Sequence, residues 1–506
     1  MKIIKIKFKF MCLVLLIIAA VIFFVSCGSD EPAVQDRGAV PYDEDIQNQN
    51  NIINGDEELE DINPRLLVHD NLPEADFNGN NFNILYPSWS NYILGLYFVE
   101  ELHEDPLGGA VFMRQLNIED RFNLNIRPIR VNNLAAIYTE IARTVMAGDG
   151  AYDMALTHCI DGVFSLVTSG IVVDWNTIPH VDFTKPWWNH RIHEELSIHG
   201  VLLTAVSDFI IHDPNVIYFN KQMIQDLSLE CPYELVRSNR WTWDTLYEMA
   251  VAATLDLDGS GIFTADDQFG LVAYTGWMIN SAMHAYGLTG TVVNDEGRRE
   301  LNLNNPLFLE LIDTLNNVLF MGNQTFIGAW DPNWDDRWES QVPMSSGRVL
   351  FHMDPLSVAI RIRATEVDFG ILPFPKREGM DEYLSLSWNG FMVVPQTADL
   401  EKVGIVAEAL AAQSHRYVIP AYYDVLLTYQ LVRDEESREM LDIIFAGATY
   451  CFLMNFGNFS PLGMPVSSIL RSATPRDAVS FLERNSRVME RHIDRLFDAV
   501  ERNFLN

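Results

Sequence analysis

The sequence predicts an α/β protein built as two lobes, and three observations carry that reading. Between Phe82 and Thr157 short apolar strands alternate with helix-length amphipathic stretches, and strand, helix, strand, helix, strand marks a parallel sheet with crossover helices. Strand-like runs return far downstream, at 369–372 and 391–394, after long helical stretches, so the chain crosses between lobes several times. The length of 506 residues, with 48% hydrophobic and 21% charged side chains, is enough to build more than one core.

Each element has its own signal. The alternation over 82–86 stops at Pro87 and reads as a strand. Val111, Phe112, Leu116, Ile118 and Phe122 are spaced for one face of a helix over 109–122. A strand over 124–131, a helix over 134–146 closed by Gly148, and a strand over 152–157 complete the first set. Helical patterns then dominate, at 243–255, 306–319, 402–413, 435–445 and 478–504. Leu271 to Tyr274 and Val349 to His352 have strand character.

Residues 1–26 read as an export signal. Lys2, Lys5, Lys7 and Lys9 precede an almost wholly apolar run over 10–25 that stops at small residues. Phe24-Val25-Ser26-Cys27 resembles a lipobox, with Phe24 where leucine is commonest. That resemblance implies a thioether-linked diacylglycerol and palmitate on Cys27, which becomes the mature N-terminus. The alternative is an uncleaved anchor, because a run of this length nearly spans a bilayer. Either way the bulk of the chain lies outside the cytoplasm, on the extracellular side of the cell membrane. Residues 27–75 read as an acidic disordered linker. Over 28–76 there are 14 Asp or Glu against Arg37 and Arg65, a net of −12. Such a segment cannot bury enough surface to offset its ordering entropy, and as a flexible coil it spans roughly 40 Å.

Charge and cysteines narrow the class further. With 35 basic and 69 acidic residues the chain carries −34, which opposes the phosphate neutralisation that nucleic-acid binding requires. Anionic membrane surfaces are disfavoured in the same way, leaving the N-terminal lipid as the membrane contact. Cys12, Cys27, Cys159, Cys231 and Cys451 show no CxxC spacing. That argues against a zinc ribbon or thioredoxin-like centre and for buried free thiols with at most one disulfide.

Five strings carry a family resemblance. They are Ala147-Gly148-Asp149-Gly150-Ala151-Tyr152-Asp153; Asp174-Trp175-Asn176 through Pro186-Trp187-Trp188-Asn189; Val216-Ile217-Tyr218-Phe219-Asn220-Lys221; Trp241-Thr242-Trp243-Asp244; and Asp368-Phe369-Gly370-Ile371-Leu372-Pro373-Phe374-Pro375-Lys376. In this order, from about Asp76 to the C-terminus, the chain resembles the extracellular solute-binding proteins of bacterial ABC importers. That family has the type 2 periplasmic-binding-protein fold and includes maltose-binding proteins. The resemblance implies a ligand cleft between lobes, with 76–208 plus 352–395 in lobe 1 and 209–351 plus 396–506 in lobe 2. It further implies a monomer that is not an enzyme, requires no cofactor, and hands a small solute to the permease subunits of an ABC importer.

The ligand site follows from where open α/β sheets bind, beyond the carboxyl ends of their strands. Trp89, His158, Trp277 and Asp354 follow strand-like runs, Asp213 lies in the stretch leading to the second lobe, and Trp388 precedes the run at 391–394; these six are the candidate ligand-binding residues. Trp89, Trp277 and Trp388 suit the apolar faces of a sugar, and an oligosaccharide is the expected solute, although any single Trp more often packs in a core. Trp187 and Trp188, beside Pro186, lean toward packing; the stretch 331–338 is either a cleft wall or a surface loop. Two other classes stay open: a lipid-anchored glycan hydrolase and a surface adhesion lipoprotein. The chain contains no GxSxG, HExxH, P-loop or strand-to-helix GxGxxG, and His158, His212, His284 and His352 lack metal-ligand spacing. Turnover of oligosaccharides separates the hydrolase from the receptor.

One motif points to a metal. Residues 256–267 match a twelve-residue EF-hand-type calcium loop: Asp256 at position 1, Asp258 at 3, Ser260 at 5, Gly261 at 6, Ile262 offering its carbonyl at 7, Thr264 at 9 and Asp267 at 12. Phe263 supplies the apolar residue at position 8, and the helical pattern over 243–255 leads in. Asp in place of Glu at position 12 and the neutral Ser260 lower the expected affinity. The alternative is a solvated Asp/Gly-rich turn.

Overall fold

A computed structural model of the chain describes residues 63–505 apart from 88–96, 103–104, 132, 134–135, 160–161, 329–343, 363–364, 388–389, 429–434, 458–462 and 473–475. Cys27, Trp89, Trp388 and the stretch 331–338 lie outside the described residues.

The first sheet is built from β1 (Asn80–Pro87), β2 (Leu124–Val131) and β3 (Met154–His158). They are joined by helices α1 (Pro106–Phe122) and α2 (Ala136–Ala147) and followed by α3 (Val163–Thr168). The second sheet uses β4 (Asn215–Asn220), β5 (Phe269–Ala273), β8 (Thr325–Ile327), β9 (Val349–Pro355) and β10 (Phe369–Leu372). A small hairpin of β6 (Thr291–Val293) and β7 (Arg299–Leu301) precedes β8. Later come β11 (Ser385–Leu386), β12 (Gly390–Val393) and β13 (Ala448–Thr449). The first sheet has the order β12-β3-β1-β2 and the second β10-β4-β9-β5-β8.

Each sheet is parallel except for the strand that enters it from the other lobe. β1 runs parallel to β2 and β3, whereas β12 runs antiparallel to β3, with Gly390 opposite His158. β5 runs parallel to β8 and β9, whereas β4 runs antiparallel to β9, with Asn215 opposite Pro355. Both intruding strands therefore start at the carboxyl edge of their sheet. Three segments meet at that common edge. In the first, Ala205 pairs with Met392 of β12 and Pro214 pairs with Ser387. The second runs from 373 to 387 and the third from 447 to 451; β11 of the second pairs in parallel with β13 of the third. A Cβ on Gly447 would be driven into the Tyr383 carbonyl oxygen, so the third crossing passes the second at glycine distance.

Helix α1 shows how local chemistry sets an element. Asp105 accepts from Gly108 N at 3.0 Å, Pro106 opens the first turn, and Asn123 closes the helix in the left-handed region at φ 47°. The buried stripe is Leu107, Val111, Arg114, Ile118 and Phe122, so a guanidinium occupies its middle. Arg114 donates to Ser414 Oγ at 3.0 Å and to the Tyr97 carbonyl, and lies 4.8 Å over the Phe209 ring. Burial lowers its pKa to about 9, so it stays charged at neutral pH.

Three boundary expectations change. The stretch just before 76 is packed on the fold: Pro64–Leu67 form a 3-10 turn, Asp70 pairs with Arg121 at 2.8 Å and Arg416 at 3.8 Å, and Lys185 donates to the His69 carbonyl at 2.8 Å. Residues 352–355 and 369–372 belong to the second sheet, because β9 and β10 flank β4; of the span 352–395, β12 joins the first sheet. The segment after 396 is shared between the lobes. Helices α7 (Leu400–Gln413) and α8 (Ile419–Thr428) pack on α1, while α9 (Glu435–Ala446) packs on β10. Helix α10 (Phe452–Gly457) packs on α3, and the long α11 (Ala478–Val500) touches both α3 and the second lobe's Pro306–Phe320 helix.

Candidate functional site

The common carboxyl edge gathers several of the polar side chains singled out in the sequence. Asp213, on the first crossing, is buried, and both its oxygens are engaged: Ser357 N donates to Oδ1 and Ser357 Oγ to Oδ2, each at 2.7 Å. Its own N–H donates to Ser387 Oγ at 2.9 Å. Asp213 thus pins the first crossing to the end of β9 and to the second crossing. Asp354, in β9, is sealed from solvent, with Oδ2 3.4 Å from His352 Nδ1. Burial pushes the His352 pKa down to about 4, so that imidazole is neutral at pH 7.

Trp277 is half-buried and opens a short 3-10 turn, Trp277–Asn280, after β5. Asn280 Nδ2 donates to the Trp277 carbonyl at 3.0 Å. The next residue, Ser281, accepts from Asn215 Nδ2 at 2.7 Å and from Leu386 N at 3.3 Å. The turn bearing Trp277 is therefore anchored to both the first and second crossings. His158 ends β3 on the first sheet, where burial lowers its pKa to about 4. The structure thus places Asp213, Asp354 and Trp277 at the second sheet's carboxyl edge and His158 at the first sheet's.

Several residues at this edge escaped sequence reading. Tyr450, on the third crossing, is buried with its ring 5.2 Å from Phe391 and 6.3 Å from His212. Asn455, on α10, donates to the Cys159 carbonyl at 2.7 Å, tying the end of β3 to the segment after the third crossing. No motif marks either residue, because β13 is two residues long. Trp187 and Trp188 do pack, as expected, and both indoles converge on Glu408 of α7: Trp187 Nε1 donates to Oε1 at 2.9 Å and Trp188 Nε1 to Oε2 at 2.8 Å. Cys159 and Cys451 are buried, and Cys231 is half-buried.

The loop 256–267 follows helix α4 (Trp243–Ala253) and is closed by pairing of Leu255 with Gln268. One carboxylate oxygen from each of Asp256, Asp258 and Asp267 lies within 4.8 Å of the others. Gly259 N and Gly261 N donate to Asp256 at 2.8 and 2.7 Å, and Leu257 N and Thr264 N donate to Asp267 at 2.9 and 2.7 Å. Gly261 has φ 75°, which the turn at position 6 needs. Ser260 Oγ donates to the Ile262 carbonyl at 3.1 Å, and Phe263 packs 6.0 Å from Phe269. Three carboxylates at spaced positions are a donor set that fits a hard dication. The loop departs from the EF-hand on its far side, where β5 follows it and not a second helix.

No protein-family model matches the chain, and no curated protein matches it. Solved structures do. UspC of M. tuberculosis is 14% identical with a TM-score of 0.52, over 81% of this chain and 100% of that one. The GacH receptor of Streptomyces glaucescens, solved free and with acarbose, is 10% identical with a TM-score of 0.51, over 85% and 99%. An ABC transporter solute binding protein from Agrobacterium radiobacter K84, in complex with ribitol, is 12% identical with a TM-score of 0.51, over 82% and 99%. The likeness is one of fold: the chain has the two-lobed α/β architecture of these binding proteins over almost their whole length. Among the described residues no helix is long and apolar enough to cross a membrane.

Proposed function

We propose that the chain is an extracellular receptor for a small carbohydrate, tethered by lipid on Cys27, that delivers its solute to the permease of an ABC importer. The observation that carries this reading is the three-segment junction at the common carboxyl edge, in a fold shared with solute receptors. Two sheets joined there can close on a solute held between them, and closure gains only what the solute contacts better in the closed form. We read the site as binding and not catalytic. Both oxygens of Asp213 serve Ser357, and Asp354 is sealed beside a neutral histidine, so neither is poised as half of an acid–base pair.

A thermal-shift screen against oligosaccharides and polyols tests the reading. Binding to the native state adds RT ln(1 + [L]/Kd), about 2.7 kcal/mol at a hundredfold excess over Kd. A rise in melting temperature with a saccharide that is recovered intact supports the receptor. Release of shorter sugars supports the hydrolase, and no shift with any member of the panel removes the carbohydrate. Within this reading Trp277→Ala weakens binding by about 1–3 kcal/mol while the melting temperature of the free protein stays close to wild type; unchanged affinity in titration calorimetry returns Trp277 to packing.

The anchor has its own test. Cys27→Ala abolishes incorporation of labelled palmitate and leaves the protein uncleaved or released. Persistent labelling of the variant excludes Cys27 as the acylated residue.

We further propose that the loop 256–267 binds one calcium ion, through carboxylates of Asp256, Asp258 and Asp267 with Ser260, the Ile262 carbonyl and Thr264 completing the shell. The twelve-position spacing supports this reading more than the local acidity does. The ion's role is structural, holding the loop between α4 and β5.

A further inference from the structure

The long helix α11 carries a row of positive charge that its packing does not use. Arg484, Arg487, Arg491 and Arg495 are all exposed. At about 100° per residue they fall within about 80° of the helix circumference, along about 17 Å of its axis. Val488, 43% exposed, lies among them. Among the described residues none of the four forms an ion pair, and Arg491 Nε donates to the Arg487 carbonyl at 3.0 Å, within the row itself.

The acids of α11 and of the turn after it lie along one flank. Arg298, in the turn between β6 and β7, draws Asp494, Asp498 and Glu501 to itself at 3.8, 2.9 and 2.5 Å. The helical repeat puts Glu483 and Glu490 on that flank as well. The charges are thus sorted by sign. A helix stabilised by its own surface charges mixes them, because like charges four residues apart cost what opposite charges gain. Arg487, Arg491 and Arg495 stand at that unfavourable spacing.

We propose that this row is a docking face for an anionic phospholipid bilayer, seated on headgroup phosphates. Each basic residue in it is arginine, whose planar fork engages phosphate oxygens in pairs. The row is straight and exposed along its length, which matches a plane of phosphates and not one small anion. The net charge of −34 opposes approach over distance, but physiological salt screens beyond about 8 Å, so contact is decided by the charges nearest the surface. The choice of a bilayer rests on the proposed anchor at Cys27. The 36 residues between Cys27 and Pro64 span at most roughly 120–130 Å, long enough for this face to meet the membrane that holds the N-terminus.

The test offers the full chain vesicles at about 5 mM lipid, of phosphatidylcholine alone or with about 30% phosphatidylglycerol. Phenylglyoxal modifies exposed guanidiniums, and peptide mass spectrometry reads each site. The anionic vesicles slow modification of Arg484, Arg487, Arg491 and Arg495 about threefold or more relative to the neutral ones, and about 0.5 M salt abolishes the difference. Arg127, exposed on β2, reacts alike with both. Arg487→Glu combined with Arg491→Glu removes the protection of Arg484 and Arg495 at an unchanged melting temperature. The anchor fails separately, in the palmitate experiment, because at this lipid concentration the vesicle comparison needs no tether. The proposal is overturned if the two vesicles protect the row equally or not at all, or if the double variant stays protected. Duplex DNA that protects the row where phosphatidylglycerol does not overturns it in favour of a nucleic acid, and inorganic phosphate at about 10 mM that protects as well as the vesicles reduces it to a free-anion site.

Discussion

Glu408→Ala lowers the stability of the protein by about 3–5 kcal/mol, because it strips the acceptor from several buried donors at roughly 1–3 kcal/mol each. Trp187 Nε1 and Trp188 Nε1 reach the carboxylate at 2.9 and 2.8 Å, and Asp182 N reaches it at 3.2 Å. Both indoles are buried, so water does not replace the lost oxygen atoms. The loss reaches beyond the pair: Trp187 also packs on His415, whose Nδ1 meets Asp208 at the start of the first crossing. A drop of less than about 1 kcal/mol in denaturant unfolding would show that the indoles find other partners.

The same group gives stability a pH dependence. Burial, opposed by the donors from Trp188, Asp182 and Trp187, raises the Glu408 pKa from 4.5 to about 7. A carboxyl with a raised folded pKa holds its proton more tightly in the native state, so its contribution is fully present below pH 4.5. That contribution falls as pH rises through 7, by about 3 kcal/mol in all. Glu408→Gln, which cannot ionise, removes this slope between pH 5 and 8. An identical slope in the variant would assign it to other groups.

What was legible in the sequence divides along physical lines. The first sheet was readable because β1 to β3 and their helices are local, and each periodicity is set by a neighbour a few residues away. The strand β9 was visible as an apolar run, but all seven of its residues are buried. A run without alternation shows that a strand is covered on both faces and not which sheet covers it. Hence the apolar run alone does not assign β9 to a lobe. The helices after 396 failed for a related reason: amphipathicity gives a buried face without naming what lies against it.

Charged residues misled in the opposite sense. Acidic composition near the N-terminus reads as solvated chain, yet Asp70 finds Arg121 and Arg416 and holds 64–72 on the first lobe. Arg114 and Glu408 sit in helices where a charge reads as the wet face, yet both are buried, and their partners are hundreds of residues away or lie on other loops. Asp213 was singled out by its place in the stretch leading to the second lobe, because position along a chain is topological. That placement could not tell that both oxygens of Asp213 are consumed by Ser357, in tying the first crossing to the end of β9.

Calcium raises the melting temperature of the wild-type chain, and chelation lowers it. The expected stabilisation is about 2.7 kcal/mol at a calcium concentration a hundred times Kd; with an extracellular-type affinity near 10⁻⁴ M, that means about 10 mM calcium. The direction follows from charge. Asp256, Asp258 and Asp267 each place an oxygen within 4.8 Å of the others, and like charges at that separation repel unless a cation lies among them. Backbone donors already offset part of this repulsion: a bond from the Ser260 side chain, then its backbone N–H, hold Asp258 below its usual pKa, and the N–H groups of Thr264 and Leu257 do the same for Asp267. Asp258 and Asp267 are therefore ionised at neutral pH. Magnesium, which demands tighter octahedral geometry, stabilises less than calcium at equal concentration. Asp256→Ala combined with Asp258→Ala abolishes the calcium-dependent shift and leaves the melting temperature in chelator close to wild type, since neither side chain enters the core. A wild-type melt that is the same in calcium and in chelator would leave the loop as a turn held by its own hydrogen bonds.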